Sequence, residues 1–208
     1  MSSQATAAAS VWEGGRSPYA TNSKKFGMWL FIISDALTFS ALLFAYTYSR
    51  VANPDWPKPF EFNPAIIFSS VMTFALLTSS LTMVMAVHRM NSGDRAAAGR
   101  WILATMAAGA TFVGLHMTEW LKLINEEHVT PFANPWGVPL FGATFFAITG
   151  LHMTHVILGI IYLGIICQAV MRGKFKAEDV EVAGLYWHFV DLVWMFVFPL
   201  VYLMSARV

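Results

Sequence analysis

The 208-residue sequence is 57% hydrophobic and only 12% charged, with a mean hydropathy of +0.56, against about 25% charged residues in ordinary soluble domains. This balance excludes a soluble globular domain, and a net charge of +1 with no basic run of interleaved aromatics excludes a nucleic-acid partner. The single cysteine, Cys167, leaves no intrachain disulfide and no cysteine-built metal site.

In chain order, residues 1–26 (MSSQATAAASVWEGGRSPYATNSKKF) are small, polar and glycine-dotted. They contain no apolar core of signal-peptide length and read as a flexible surface tail. Five apolar stretches follow, near 27–49, 64–87, 98–121, 138–170 and 184–205. A bilayer core about 30 Å thick is spanned by roughly 20 apolar residues. The expectation is therefore an all-α integral membrane protein, a five-helix transmembrane bundle forming one domain over residues 27–208.

The connections differ in character. NPDWPKPFEFNP at 53–64 carries four prolines, so it cannot continue a helix and forms a stiff loop, and Pro64 opens the second span. NSGDR at 91–95 is a tight turn, KLINEEHVTPFANPWG at 122–137 a longer loop, and MRGKFKAEDVE at 171–181 a solvated charged connector. With the N-terminus cytoplasmic, Arg16, Lys24, Lys25, Arg89, Arg95, Arg100, Arg172, Lys174 and Lys176 lie inside. Arg50, Lys58, Lys122 and Arg207 lie outside, and this nine-to-four bias predicts a cytoplasmic N-terminus and a periplasmic C-terminus.

Small residues mark expected helix contacts, because close backbone approach drives association in lipid. They are Ala104 and Ala108, Ala107 and Thr111, and Ala110 and Gly114 in the third span, with Gly150, Gly159 and Gly164 in the fourth. Arg89, Arg95, Lys174 and Lys176 lie where anionic headgroups are expected. Trp187 and Trp194 are expected to present a lipid-contacting surface.

An ionisable side chain inside a span is costly and marks a functional or partnered site. Asp35 lies in the first span, His116 and Glu119 toward the outer end of the third, His152 and His155 near the middle of the fourth, and His188 and Asp191 toward the inner end of the fifth. Each same-helix pair is three residues apart, on one face. Two readings of this polar seam stand side by side. Histidines on facing helices are able to ligate a b-type haem or a metal. Alternatively each imidazole hydrogen-bonds across helices to a carboxylate or carbonyl. The unequal depths of His116, His152 and His188 favour the second reading.

The segments FGMWLFIISDALTFSALLFAYTYSR, FFAITGLHMTHVILGIIYL and RGKFKAEDVEVAGLYWHFVDLVWMFVFPLVYL carry a resemblance over residues 25–206. Their most specific elements are H-x-x-H-V-x-x-G at His152–Gly159 and YWHFVD-x-VW at Tyr186–Trp194. The sequence resembles subunit III of the haem-copper terminal oxidases, cytochrome c oxidase subunit III and its quinol-oxidase counterparts, in their short five-helix bacterial form. The resemblance implies a multi-pass subunit of the bacterial inner membrane that holds no cofactor itself. Haems and copper belong to partner subunits; this subunit packs on the catalytic subunit I beside other oxidase subunits, binds phospholipid and supports proton uptake. It implies no catalytic residue in this chain and histidines that are not redox ligands. Asp35 stands where the family has a carbodiimide-reactive glutamate, and His116 where members often carry glutamine. Asp35 is then expected to be neutral and hydrogen-bonded, or paired with His152 or His155. His188 and Asp191 are expected to anchor the fifth span. A subunit III-like protein associated with nitric oxide reductase shares these helices, and a self-contained b-haem membrane protein is the alternative from a different class.

Overall fold

The computed structural model describes residues 23–61 and 65–207. Most of the expected N-terminal tail, Arg16 included, and Pro64 lie outside the described residues. The tail's last four residues form the first turn of a helix. That helix, α1, runs Ser23–Ala52 and is followed by α2 (Ile67–Asn91), α3 (Arg95–Asn125), α4 (Pro139–Met171) and α5 (Ala177–Val197). All five are long and apolar enough to cross a membrane, the fifth counted through Ser205.

The helix ends follow from local chemistry. Asn91 ends α2 because Gly93 takes a left-handed conformation (φ +83°), and the Asp94 amide then donates to the Arg89 carbonyl at 3.0 Å. The carboxylate of the same Asp94 accepts from the Ala97 amide at 2.9 Å and caps α3. Pro139 opens α4, where its missing N–H costs nothing. In α5, Asp179 accepts from the Lys176 amide at 2.9 Å, and Glu178 and Asp179 sit in the first turn, where the helix dipole favours acids. This explains why the helix begins at Ala177, ahead of the apolar stretch. Pro199 interrupts the hydrogen-bond ladder after Val197, and the chain continues as a π-helical turn over Phe198–Tyr202 and a 3₁₀ turn over Leu203–Ser205.

The helices stack in three layers. α4 and α5 pack together in the middle, α1 covers them on one side, and α2 and α3 cover them on the other. α1 touches its neighbours through one narrow stripe: its buried residues Ile32, Phe39 and Tyr46 recur every seven positions. Half-buried residues such as Asp35, Ala36 and Leu43 flank this stripe, and the opposite face of α1, including Trp29, Leu37, Phe44 and Tyr48, is exposed. At one end of the bundle the 53–61 loop supplies a two-residue strand β1 (Phe60–Glu61), which pairs in parallel with β2 (Ala206–Arg207). Tyr46 ties α1 to the same end through the Ser205 hydroxyl at 2.7 Å.

The charged 171–181 run is more than a solvated connector. Asp179 meets Lys24 at 2.6 Å and Glu181 meets Lys25 at 2.8 Å, so the run fastens the start of α5 to the start of α1. The small-residue expectations divide between the two helices. Those in α4 are real approach points, where a Cβ on Gly150 would press on Trp120 and one on Gly159 on Trp187. In α3, by contrast, Ala107, Ala110, Thr111 and Gly114 face outward, and Gly109 is the residue under which the Trp187 indole passes.

Candidate functional site

The ionisable residues of the spans gather in four places along the bundle interior. The first lies between α1 and α4. His155 Nδ1 stands 2.8 Å from the Leu151 carbonyl one turn back, and a carbonyl only accepts, so Nδ1 carries a proton. Nε2 is thereby turned toward Asp35, 3.2 Å from Oδ2. One proton is enough to bind this pair, held by either partner. Phe39 covers the imidazole edge-on at 5.4 Å, and the Tyr186 hydroxyl donates to the His155 carbonyl at 2.9 Å. Of the two imidazoles considered for Asp35, it is His155 that meets it.

The second place is the bundle centre. His116 of α3 and His152 of α4, both fully buried, lie against the same two rings. Phe112 is 5.6 Å from each, and Trp194 is 5.5 Å from His116 and 5.0 Å from His152, nearly parallel to the latter. The depth mismatch expected between these histidines is therefore wrong. Counting residues from the span ends ignores the axial stagger of two helices joined by a long loop. Neither imidazole hydrogen-bonds to any described residue, so the expected cross-helix bonds of His116 and His152 are missing. The surrounding rings are carbon edges and faces, and Trp194 has turned its Nε1 away to Thr73 at 2.9 Å.

The third place is Glu119. Its Oε1 accepts from Ser69 at 3.0 Å and its Oε2 from Tyr202 at 2.8 Å. His116 Nδ1, at 3.8 Å from Oε2, is beyond hydrogen-bond range. Phe60 of β1 stacks on the Tyr202 ring at 4.8 Å, so the strand pair helps position the tyrosine. Beside Glu119 opens a pocket of about 400 Å³ between the ends of α2 and α3.

His188 and Asp191 do not bond to one another. His188 Nδ1 meets the Ser80 hydroxyl of α2 at 2.9 Å, and Asp191 is buried one turn farther along. Trp187 and Trp194 correct the lipid-surface expectation. They are 1% and 0% exposed, deep in the core, because both indole N–H groups find hydroxyls on α2, Trp187 on Ser79 at 2.9 Å. Arg89, Arg95, Lys174 and Lys176 are exposed at the end of the bundle opposite Glu119, and the Arg95 guanidinium overlies the Gly173 turn.

The hydroxyl ladder of α2 escaped the sequence reading. Ser69, Thr73, Ser79 and Ser80 each serve a partner on α3 or α5, namely Glu119, Trp194, Trp187 and His188. The readable signal was SSVMTFALLTSS, in which hydroxyls return near helical spacing within an apolar span.

A family model for cytochrome c oxidase subunit III matches residues 4–206. The chain belongs to the cytochrome c oxidase subunit III family. It is 36% identical over 185 residues to the quinol oxidase subunit 3 of Bacillus spizizenii, covering 86% of each chain. It is 33% identical over 187 residues to the cytochrome c oxidase subunit 3 of Bacillus sp. strain PS3, covering 88% of this chain and 86% of that one. The cytochrome c oxidase subunit 3 of Scyliorhinus canicula is 32% identical over 202 residues, 92% of this chain and 74% of its own. As a member of the subunit III family the chain is a multi-pass membrane protein of an oxidase complex. Its two family-specific sequence elements now have structural content. H-x-x-H-V-x-x-G places His152 on Trp194, His155 on Asp35 and Gly159 under Trp187. YWHFVD-x-VW supplies the buried Trp187 and Trp194 and the tyrosine that holds the His155 carbonyl.

Proposed function

We propose that this chain is the non-catalytic subunit III of a proton-pumping haem-copper oxygen reductase in a bacterial inner membrane, N-terminus inside, stabilising the catalytic subunit I. The single observation that supports this reading is the way the interior polar groups are used. Asp35 pairs with His155, Glu119 is held by two hydroxyls, and His116 and His152 are packed against Phe112 and Trp194. These groups join helices to one another, and the rings of Phe112 and Trp194 lie against both central histidines. The broad exposed face of α1 is suited to helix packing against a partner or to lipid, and the cationic end bearing Arg89, Arg95, Lys174 and Lys176 to phospholipid headgroups and to proton-exchanging water.

Purification in mild detergent through a tag on this chain, with mass spectrometry and a reduced-minus-oxidised spectrum, tests the reading. The expected result is copurification of a large haem-copper subunit, with the haem bands lost when this chain is separated from it. A lone chain that keeps a b-haem spectrum would overturn it. Relatives named for cytochrome c and for quinol oxidases are similarly close, so the electron donor is assigned by assaying the isolated complex with each.

A further inference from the structure

We propose that the pocket between the ends of α2 and α3, with Glu119 at its side and Phe60, Phe68 and Trp136 in its walls, binds an ammonium group carried on an apolar chain. The pocket measures about 400 Å³, within the range of small-molecule sites and larger than an ammonium head alone, so part of the chain enters with it. Glu119 is 8% exposed and receives one neutral hydroxyl on each oxygen, from Ser69 and Tyr202. Each carboxylate oxygen has room for a second donor. Among the described residues no lysine or arginine forms an ion pair with Glu119. Lys122, on the pocket rim, lies 3.9 Å from Glu126 and is half exposed.

Among the described residues the pocket is therefore lined by two acids, Glu119 and Glu127, and one base, Lys122. An anionic head would meet net repulsion there, and a neutral alcohol would gain little from the carboxylates. An ammonium gains on both counts, a charge-assisted hydrogen bond to the buried acid and the faces of aromatic walls, which attract cations. The placement of Lys122 at the rim also suits a phosphate joined to the ammonium by a short linker, as in a zwitterionic lipid. A free amphipathic amine has the same head chemistry, and the proposal covers both sources.

The test is a titration of the full chain, or of the complex carrying it, in maltoside micelles. The probes are n-dodecylammonium, n-dodecanol and n-dodecyl sulfate, with bound ligand counted by native mass spectrometry. One saturable dodecylammonium is expected, bound about tenfold more tightly than the alcohol, with no competition from the sulfate. Glu119→Gln is expected to abolish that preference, and Glu127→Gln and Phe68→Leu each to reduce it. Should Glu119→Gln fail to fold, the other two variants carry the test. Displacement by dilauroyl phosphatidylethanolamine but not by dilauroyl phosphatidylglycerol assigns the site to a lipid head; displacement by neither assigns it to a free amine. Equal binding of ammonium and alcohol, or a preference unchanged in every variant that folds, overturns the proposal.

Discussion

His155 Nε2 stands 3.2 Å from Asp35 Oδ2 while its other ring nitrogen faces the Leu151 carbonyl at 2.8 Å, so the intrahelical contact aims the imidazole at α1. Among the described residues this is the one interior contact between ionisable side chains that joins α1 to the rest of the bundle through an acid and a base. α1 otherwise rests on a narrow stripe, and the loss of either partner is felt at that joint. Asp35→Leu or His155→Phe alone should cost about 1–2 kcal/mol of stability, the range for hydrogen bonds between membrane helices. The double variant should recover most of the loss, because replacing both partners leaves nothing polar unpaired. Thermal unfolding of the four proteins in detergent measures the coupling, and strictly additive losses would show that the pair does not act as one.

His116 and His152 should respond in the opposite sense. Both are buried without a hydrogen-bond partner among the described residues. Replacing either with phenylalanine removes a desolvated polar group at little change in shape. His116→Phe and His152→Phe should leave the unfolding midpoint unchanged or raise it. Glu119→Leu, which strands the buried Tyr202 hydroxyl and leaves Ser69 only the Ala65 carbonyl, should lower stability by about 1–3 kcal/mol. A marked loss from His152→Phe would show that its ring nitrogens are satisfied by ordered water.

Trp187 lies between glycines of two helices. A Cβ on Gly109 would come within 2.6 Å of its ring and one on Gly159 within 3.0 Å. Gly109→Ala should therefore cost about 1–3 kcal/mol through overpacking. Pairing it with Trp187→Phe should relieve part of that cost, although the Ser79 bond is then lost. Melting temperatures of the single and double variants decide this, and a Gly109→Ala protein as stable as the parent would contradict the packing.

The burial of the tryptophans has a direct readout. Trp29 is 51% exposed, whereas Trp187 and Trp194 are essentially sealed. Carbene labelling from a lipid-soluble photoreagent in reconstituted vesicles should modify Trp29, Phe44 and Tyr48 and spare Trp187 and Trp194. Strong modification of Trp194 would be incompatible with its place between α2, α3 and α4.

Much of the architecture was legible in one dimension, because lipid imposes a length and an apolar composition on every spanning helix. The NSGDR turn around Gly93 marked a boundary through backbone chemistry that acts over a few residues. The pairing partners were a different matter. Asp35 was recognisable as costly inside a span, yet nothing in its neighbourhood distinguished His155 from His152, three residues away on the same face. What separates them is helix rotation: one imidazole points toward α1, the other toward Trp194.

The tryptophans show the same limit. Their positions near aromatic and apolar neighbours are compatible with a membrane interface or with a core, since the indole suits both. Serines and threonines on a helix distant in sequence decided the matter by accepting both N–H groups.

The sequence by itself determined the solvent, the five helices, the family and the set of residues too polar to be in a membrane without a reason. Only the tertiary structure decided which of them meet: Asp35 with His155, Glu119 with Ser69 and Tyr202, and His116 and His152 with rings alone. Composition and periodicity are properties of one segment, whereas a contact depends on the rotation and stagger of two, and these are set by how large side chains such as Trp187 fit over glycines on neighbouring helices.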